Sequence, residues 1–171
     1  MTKDEMLALW MRRHFLEPLR SDCVVSRSDG VDTEAIAIDE MRRWYVRMLH
    51  EAPAEMLAPR NVALTVAMRR SPQGTGIIML PDNVVRVVAV KLSIWEREAT
   101  IVTGDDALCR VQCNRYSRGG VARPVAVVWP GGRLELFSLG SEVSMPMVET
   151  LLVVEDPGRE KYVMDERLLD F

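Results

Sequence analysis

Two kinds of hydrophobic periodicity divide the chain. Up to about residue 58, apolar residues recur at three- and four-residue intervals, which is the spacing of an amphipathic helix. The pattern predicts a first helix over residues 4–17, with Thr2 and Glu5 forming a capping box at its start. It predicts a second helix over about residues 34–50, followed by a short turn in PAEML.

From Val62 onward the pattern changes to short apolar runs that are rich in β-branched residues, which is typical of strands. The runs are separated by segments with glycine, proline or aspartate, the residues that form turns. The predicted strands are VALTVAM (62–68), TGIIML (75–80), VVRVVAVKL (84–92), EATIV (98–102), ARPVAVVW (122–129), RLELFSL (133–139) and TLLVV (150–154).

Three details of this β region can be predicted. VAVVW-PGG-RLELF favours a hairpin, because its glycines can adopt the positive φ of a tight loop. QGTGIIMLP lacks the GK[ST] ending of a phosphate-binding loop and precedes a strand, so a hairpin turn is predicted there as well. Strict alternation in the 84–92 strand would turn Arg86 outward, and Glu96 to Glu98 would form an exposed strand segment beside Trp95.

Two shorter segments interrupt or follow the strands. DDALCRVQCN predicts one short helix with an acidic N-cap, and DERLLDF resembles the first turns of a last helix. The fold class is therefore α+β, with two main N-terminal helices packed with an antiparallel β-sandwich or barrel that contains one short inserted helix. The expected organisation is a helical part over 1–60, a β part over 61–156 and a C-terminal tail over 157–171, together forming one compact unit.

Charge is distributed unevenly along the 171 residues, although the net charge is only −3. Residues 1–60 carry nine basic and eleven acidic side chains, residues 61–133 carry ten and five, and residues 134–171 carry three and nine. The acidic total argues against a chain that binds nucleic acid over its whole surface. Complementary segments suit either contact with a partner or another copy, or a tail that folds over the middle of its own chain.

The sequence favours an intracellular protein. The N-terminal stretch MTKDEMLALWMRRHF has acids and arginines where a secretory signal would have an uninterrupted apolar core, and no run is long enough for a transmembrane helix. Three cysteines without a disulfide-framework spacing suit a reducing compartment.

No motif for catalysis or cofactor binding is evident, so no catalytic residue, metal site or cofactor is expected. Cys109 and Cys113 lie four residues apart on one face of the predicted helix, but no second ligand pair completes a metal site. Small buried thiols explain them better. Asp105 and Asp106 could hold a cation, but a helix cap explains the pair more simply.

One basic cluster with an aromatic residue stands out around NRYSRGG (114–120). RNA-binding tracts use repeated RGG units or a stacking platform, and here there is a single unit in an acidic chain. An interface patch on a turn is the main interpretation, and contact with the DNA backbone is the alternative. The candidate interface or channel residues are Arg110, Arg115, Tyr116, Arg118 and Arg123.

The stretch from Leu80 to Ser138 resembles neck proteins of tailed bacteriophages, notably the ring or adaptor proteins of crAss-like phages and related Bacteroidetes elements. The likeness lies in LPDNVVR, KLSIW, an acidic short helix, QCNRYSRG, ARPV and a hairpin ending in LELFS. Position 83 is asparagine where the family pattern has an acid, and the family's C-terminal helix is longer than DERLLDF. The matching residues are Leu80, Pro81, Asp82, Arg86, Lys91, Trp95, Gln112, Asn114, Tyr116, Arg118, Gly119, Pro124, Leu134, Glu135, Leu136 and Ser138.

This resemblance implies a non-enzymatic adaptor that forms or joins a ring between portal and tail, with DNA passing through its channel. The implied partners are further copies of the chain, the neighbouring portal and tail proteins and, non-specifically, DNA. No membrane is implied, and the location is the cytoplasm during assembly and the virion if a phage encodes it. In this interpretation NRYSRGG is a hinge in which Tyr116 packs while Arg115 and Arg118 project towards a neighbour or the channel. The alternative is a small bacterial binding module whose β half docks a peptide or nucleic acid.

Overall fold

The computed structural model describes residues 1–14, 33–114, 116–140 and 145–170. It divides into two compact units. The helical unit comprises Met1–Ala58 and Asp156–Phe171, and the sheet unit comprises Pro59–Glu155. The division expected from the sequence was at residues 60 and 156, with residues 157–171 as a separate tail.

The helical unit contains α1 (Lys3–His14), α2 (Thr33–Glu51) and two 3-10 helices, Ala54–Leu57 and Glu166–Asp170. The predicted capping box is present, because Glu5 accepts a hydrogen bond from the Thr2 amide at 2.9 Å and donates its own amide to the Thr2 hydroxyl at 3.3 Å. The predicted extension of the first helix to residue 17 lies outside the described residues. Within those residues, no helix has the length and hydropathy needed to cross a membrane.

The core of the helical unit is built from the apolar faces of its helices. Tyr45 is fully buried, packs edge-to-face on Tyr162 with ring centroids 4.8 Å apart, and donates its hydroxyl to the Val163 carbonyl at 3.2 Å. Within DERLLDF, Glu166–Asp170 forms a 3-10 helix instead of the expected α-helical turns, and the side chains of Leu168 and Leu169 are buried. The buried positions of α2 include Ala37, Met41, Tyr45, Met48 and Leu49, which recur at helical spacing, whereas Ile36 on the same helix is 49% exposed.

The described residues of the sheet unit form eight strands and one short helix. The elements are β1 (Arg60–Asn61), β2 (Met68–Arg70), β3 (Gly76–Met79), β4 (Val84–Leu92), β5 (Thr100–Thr103), α3 (Ala107–Cys113), β6 (Val125–Trp129), β7 (Arg133–Leu136) and β8 (Val148–Glu155). They form a three-stranded sheet in the order β1-β8-β4 and a five-stranded sheet in the order β2-β3-β7-β6-β5.

One hydrophobic core is shared by the two sheets. Ile78 and Leu134 from the five-stranded sheet and Val90 and Leu151 from the three-stranded sheet are fully buried members of it. The arrangement is a sandwich and not a closed barrel, which confirms the predicted α+β class with a sandwich-like β part. The β6–β7 hairpin is also confirmed, and its loop glycines, Gly131 and Gly132, have φ values of 79° and 72°.

Two features of the sheets differ from the expected regular antiparallel pattern. β5 pairs with β6 in parallel, because the connection between them through α3 is long enough to bring the chain back in the same direction. In β4 the register against β8 shifts on both sides of Val87, which breaks the two-residue alternation. Arg86 and Val88 are half-buried whereas Val87 and Ala89 are buried, so Arg86 lies on the less buried face as predicted, although it is not fully exposed.

Two predicted strands are wrong in whole or in part. In VALTVAM only Met68 lies in a strand, because the Asn61 side chain accepts hydrogen bonds from the Ala63 and Leu151 amides and starts a turn. Glu96 to Glu98 are exposed as expected but do not form a strand. Trp95 is buried there and donates its indole N–H to the Ser138 carbonyl at 2.9 Å.

Candidate functional site

The predicted cluster lies on α3 and on the loop that leads from α3 to β6. The side chain of Asp106 caps α3 by accepting the Leu108 amide at 2.7 Å, which confirms the expected acidic N-cap. The buried side of the helix carries Cys109 and Gln112. The opposite side exposes Leu108 and Val111, whose exposed fractions are 43% and 42%.

Gln112 fastens the loop to the end of α3. Its main-chain carbonyl accepts a hydrogen bond from Arg118 Nε at 3.0 Å, and its side-chain Oε1 accepts the Gly119 amide at 3.0 Å. The hydroxyl of Ser117 donates to the Val111 carbonyl at 2.8 Å. A buried amide side chain thus satisfies main-chain groups that the loop would otherwise leave without partners.

Gly119 is required by close packing. A Cβ atom at this position would lie 2.4 Å from the Arg123 carbonyl oxygen, so any larger residue forces the backbone to move. The Gly119 carbonyl accepts the hydroxyl of Ser138, a buried residue with a φ of 70°. The hinge expected at NRYSRGG is therefore a segment bound at several points to its surroundings.

One of the expected side-chain orientations is wrong. Tyr116 does not pack, because its side chain is 97% exposed. The Asn114 side chain accepts the Tyr116 amide at 3.0 Å, and this local turn directs the tyrosine away from the protein. Arg118 is half-buried, and its guanidinium carbon lies 5.2 Å from the centroid of the Phe137 ring, so the expectation that it faces a neighbour stays a prediction.

The remaining arginines of the predicted cluster differ in whether the structure describes them. Arg110 and Arg123 are exposed, and neither side chain pairs with any residue that the structure describes. Arg115 lies outside the described residues. We name the exposed set Leu108, Arg110, Val111, Tyr116 and Arg123 the α3 patch. It combines apolar, aromatic and cationic groups, which is the composition typical of protein interfaces.

A cleft of about 260 Å³ lies beside the fastened part of the loop. Its walls include Arg118, Ser138 and four glycines, one of which is Gly120. A Cβ atom added at Gly120 would meet no atom within 4 Å. Main-chain groups therefore form much of this cleft, and Arg118 is its charged side chain.

In a second polar cluster of the sheet unit, the polar side chains contact one another. Glu135 accepts the hydroxyl of Thr75 at 2.7 Å and the indole N–H of Trp129 at 2.9 Å. The guanidinium of Arg133 lies 3.5 Å from the same carboxylate, and the hydroxyl of Ser71 hydrogen-bonds to Thr75 at 2.7 Å. Both carboxylate oxygens are engaged, so this cluster stabilises the sheet.

The Cys109 thiol of α3 is a poor candidate for chemistry. Burial, with a smaller contribution from Cys113, raises the pKa of the Cys109 thiol, which keeps it in the unreactive protonated form. Cys113 is exposed. Over the described part of the chain, no three potential metal ligands among His, Cys, Asp and Glu come together.

The helical unit has a cleft of about 160 Å³ lined by charged residues, including Arg42. The guanidinium of Arg42 forms an ion pair with Asp156, donates to the Gly158 carbonyl at 3.0 Å and lies 5.7 Å from the centroid of the Tyr45 ring. The side chains of Arg42 and Asp156 are only 18% and 27% exposed. These contacts stabilise the helical unit by joining α2 to the segment after β8.

Sequence reasoning does not identify the residues that support the loop of the candidate site. Gln112 and Ser138 belong to the pattern of the phage-neck resemblance, but that pattern gives them no role. A polar residue on the buried side of a short helix was the available signal for Gln112. Phe137 and Arg118 are 19 positions apart, and no local pattern indicates that their side chains meet.

Comparisons with known proteins do not supply a function. No protein-family model matches the chain, and no curated protein is significantly similar to it. The function has to be inferred from the residues, charges and geometry of the two units.

Proposed function

We propose that this chain is a non-enzymatic structural subunit, an adaptor of a phage neck, that assembles into a ring between portal and tail. The resemblance over Leu80 to Ser138 supports this role. Four of its positions, Gln112, Arg118, Gly119 and Ser138, are joined by hydrogen bonds around one loop. These four residues have a common structural role, which is to hold the segment next to the α3 patch.

The observation that carries the proposal is the exposed α3 patch. Its two arginines lack partners among the described residues, and its apolar side chains remain in solvent. Each ring subunit needs two different, complementary surfaces, because its contacts are head-to-tail. The segment over residues 156–170, with five acidic and three basic side chains, supplies a complement, because Glu160 and Glu166 are exposed and lack a partner among the described residues.

A structural role also agrees with how the polar groups of the sheet unit are used. Glu135 is fully engaged by its neighbours, and the Cys109 thiol is held protonated by burial. Gln112 and Ser138 hold the loop. These groups maintain the fold, which leaves the α3 patch and the cleft beside Arg118 as surfaces for recognition.

The solution mass, measured by light scattering after size exclusion at low and high salt, tests the proposal. We expect a ring-sized assembly at low salt that the double substitution Arg110→Glu, Arg123→Glu reduces to the 19.4-kDa chain. Arg97→Glu is the matched control, because Arg97 is exposed in the same unit and lies outside the patch. A 19.4-kDa mass for the unmodified protein at every salt concentration would contradict self-assembly and favour the alternative function.

The alternative is a small module that binds nucleic acid, and one observation favours it. Tyr116 is 97% exposed in a basic segment, and bases stack on such aromatic side chains while arginines neutralise phosphates. Fluorescence anisotropy with a labelled single-stranded DNA tests this alternative and the contact with channel DNA together. Binding that weakens steeply with salt and is lost in Tyr116→Ala would support stacking, whereas Tyr116→Phe should retain it.

A further inference from the structure

Arg118 is positioned by two contacts that leave most of its hydrogen-bonding capacity unused. Its Nε donates to the Gln112 carbonyl at 3.0 Å, and its guanidinium lies over the Phe137 ring at 5.2 Å. A guanidinium has five N–H donors, and four of them are on the two terminal nitrogens. No described residue accepts a hydrogen bond from these terminal nitrogens or forms an ion pair with them.

The surroundings of Arg118 determine what kind of group could reach it. The cleft volume of about 260 Å³ is below the roughly 300–1,000 Å³ of sites for small organic ligands, so one side chain of a partner fits better than a cofactor. The glycines in its walls allow another chain to approach the main chain closely.

A carboxylate is the chemical group that suits this site. The terminal nitrogens of arginine form a planar fork that matches the two oxygens of a carboxylate. Arg42, which also stacks on an aromatic ring and donates to a main-chain carbonyl, already holds such a group in Asp156. Arg118 makes the same two kinds of contact, and no carboxylate among the described residues pairs with it.

We infer that the cleft beside Arg118 binds a carboxylate from the acidic segment of a second copy of this chain. The segment over residues 156–170 carries Glu160 and Glu166, both exposed and without a described partner. Residues 61–133 carry ten basic and five acidic side chains and residues 156–170 carry three and five, so contact between copies is electrostatically favourable. The inference rests on the proposed ring and identifies the contact that would join its subunits.

The test leaves Arg118 itself unchanged, because this side chain also holds the loop. Gly120→Asp places a negative charge at the cleft, where the added Cβ meets no atom within 4 Å. Ala122→Asp adds the same charge two residues away at an exposed position outside the cleft lining and is the matched control. We expect Gly120→Asp to weaken self-association about tenfold through like-charge repulsion, while Ala122→Asp changes it less than about twofold.

A charge exchange identifies the occupant. Glu160→Lys and Glu166→Lys each reverse the charge of one candidate carboxylate. The one that occupies the cleft should weaken assembly in the natural background and restore it when combined with Gly120→Asp. If assembly occurs but neither lysine variant rescues Gly120→Asp, the inference is overturned while the ring proposal stands.

A direct binding experiment separates the inference from ring formation. The probe is a fluorescein-labelled peptide of residues 157–170, titrated at low salt with the full-length protein and with its Gly120→Asp and Ala122→Asp variants. Binding that Gly120→Asp weakens about tenfold and Ala122→Asp leaves intact supports the cleft, even if the protein proves monomeric. Equal binding by all three proteins, or no binding by any, overturns it.

Discussion

Arg42 in the helical unit and Arg118 in the sheet unit are held by the same two kinds of contact. Each lies over an aromatic ring, at 5.7 Å from Tyr45 and 5.2 Å from Phe137, and each donates a hydrogen bond of 3.0 Å to a main-chain carbonyl. Arg42 also pairs with the Asp156 carboxylate, and Arg118 pairs with no described carboxylate.

This difference between Arg42 and Arg118 distinguishes a structural role from a role in recognition for the same arrangement of contacts. A partly buried arginine that keeps its carboxylate within the unit stabilises the fold, because each charge satisfies the other. An arginine held in the same manner beside a cleft keeps its terminal donors available, because nothing described in its own unit consumes them. The contrast indicates that an arginine held in this way marks a surface for recognition when no described carboxylate pairs with it.

The largest effect is expected from Arg42→Ala. The substitution leaves the largely buried Asp156 carboxylate without its ion pair, so we expect unfolding free energy to fall by about 3 kcal/mol. Urea unfolding followed by circular dichroism measures the change. Arg43→Ala provides the matched control on the same helix. A loss no larger for Arg42→Ala than for this control would show that the ion pair is not what stabilises the unit.

Gly119→Ala examines how tightly the loop that carries Arg118 is held. The added Cβ would lie 2.4 Å from the Arg123 carbonyl oxygen, so the backbone must shift, at a cost of about 2 kcal/mol of unfolding free energy. Gly120→Ala adds the same atom in open space and should change stability by less than about 0.5 kcal/mol. Similar urea midpoints for the two variants would contradict this account of the loop.

Local sequence patterns predicted the helices, strands and turns better than they predicted which strands pair and in what register. The PGG turn was enough to place the β6–β7 hairpin, and the Thr2–Glu5 spacing was enough to place the capping box. The parallel pairing of β5 with β6 and the register shifts in β4 depend on strands far away in the sequence. A hydrophobic pattern does not contain that information.

The same limit applies to the candidate site. Composition identified the basic cluster, and Arg110 and Arg123 are exposed on the surface. The orientation of Tyr116 depends on the hydrogen bond that its main-chain amide donates to the Asn114 side chain. The orientation of Arg118 depends on the contact of its guanidinium with the Phe137 ring. These contacts are set by the path of the loop, so a count of charges in the sequence could not reveal them.

Arg118→Ala should cost less stability than Arg42→Ala, which is the direct test of the comparison. It removes one hydrogen bond and one ring contact but leaves no described carboxylate unpaired, so we expect a loss of about 1 kcal/mol. Urea unfolding under the same conditions gives the number. A loss as large as that of Arg42→Ala would mean that Arg118 is mainly structural and would weaken the case for recognition.

The smallest effect is expected at the exposed pair of Asp165 and Arg167. Hydrogen bonds from the Arg167 side chain and amide lower the pKa of Asp165 from 3.8 to about 2. Because the folded value is the lower one, the pair stabilises the protein above about pH 4, and this contribution disappears as the pH falls towards 2. The stability difference between the natural protein and Asp165→Asn should therefore be small at neutral pH and shrink over that interval.

A difference that grew on acidification would contradict the lowered pKa. A large difference at neutral pH would show that an exposed pair can match the partly buried contacts of Arg42, which would remove burial as the basis of the comparison.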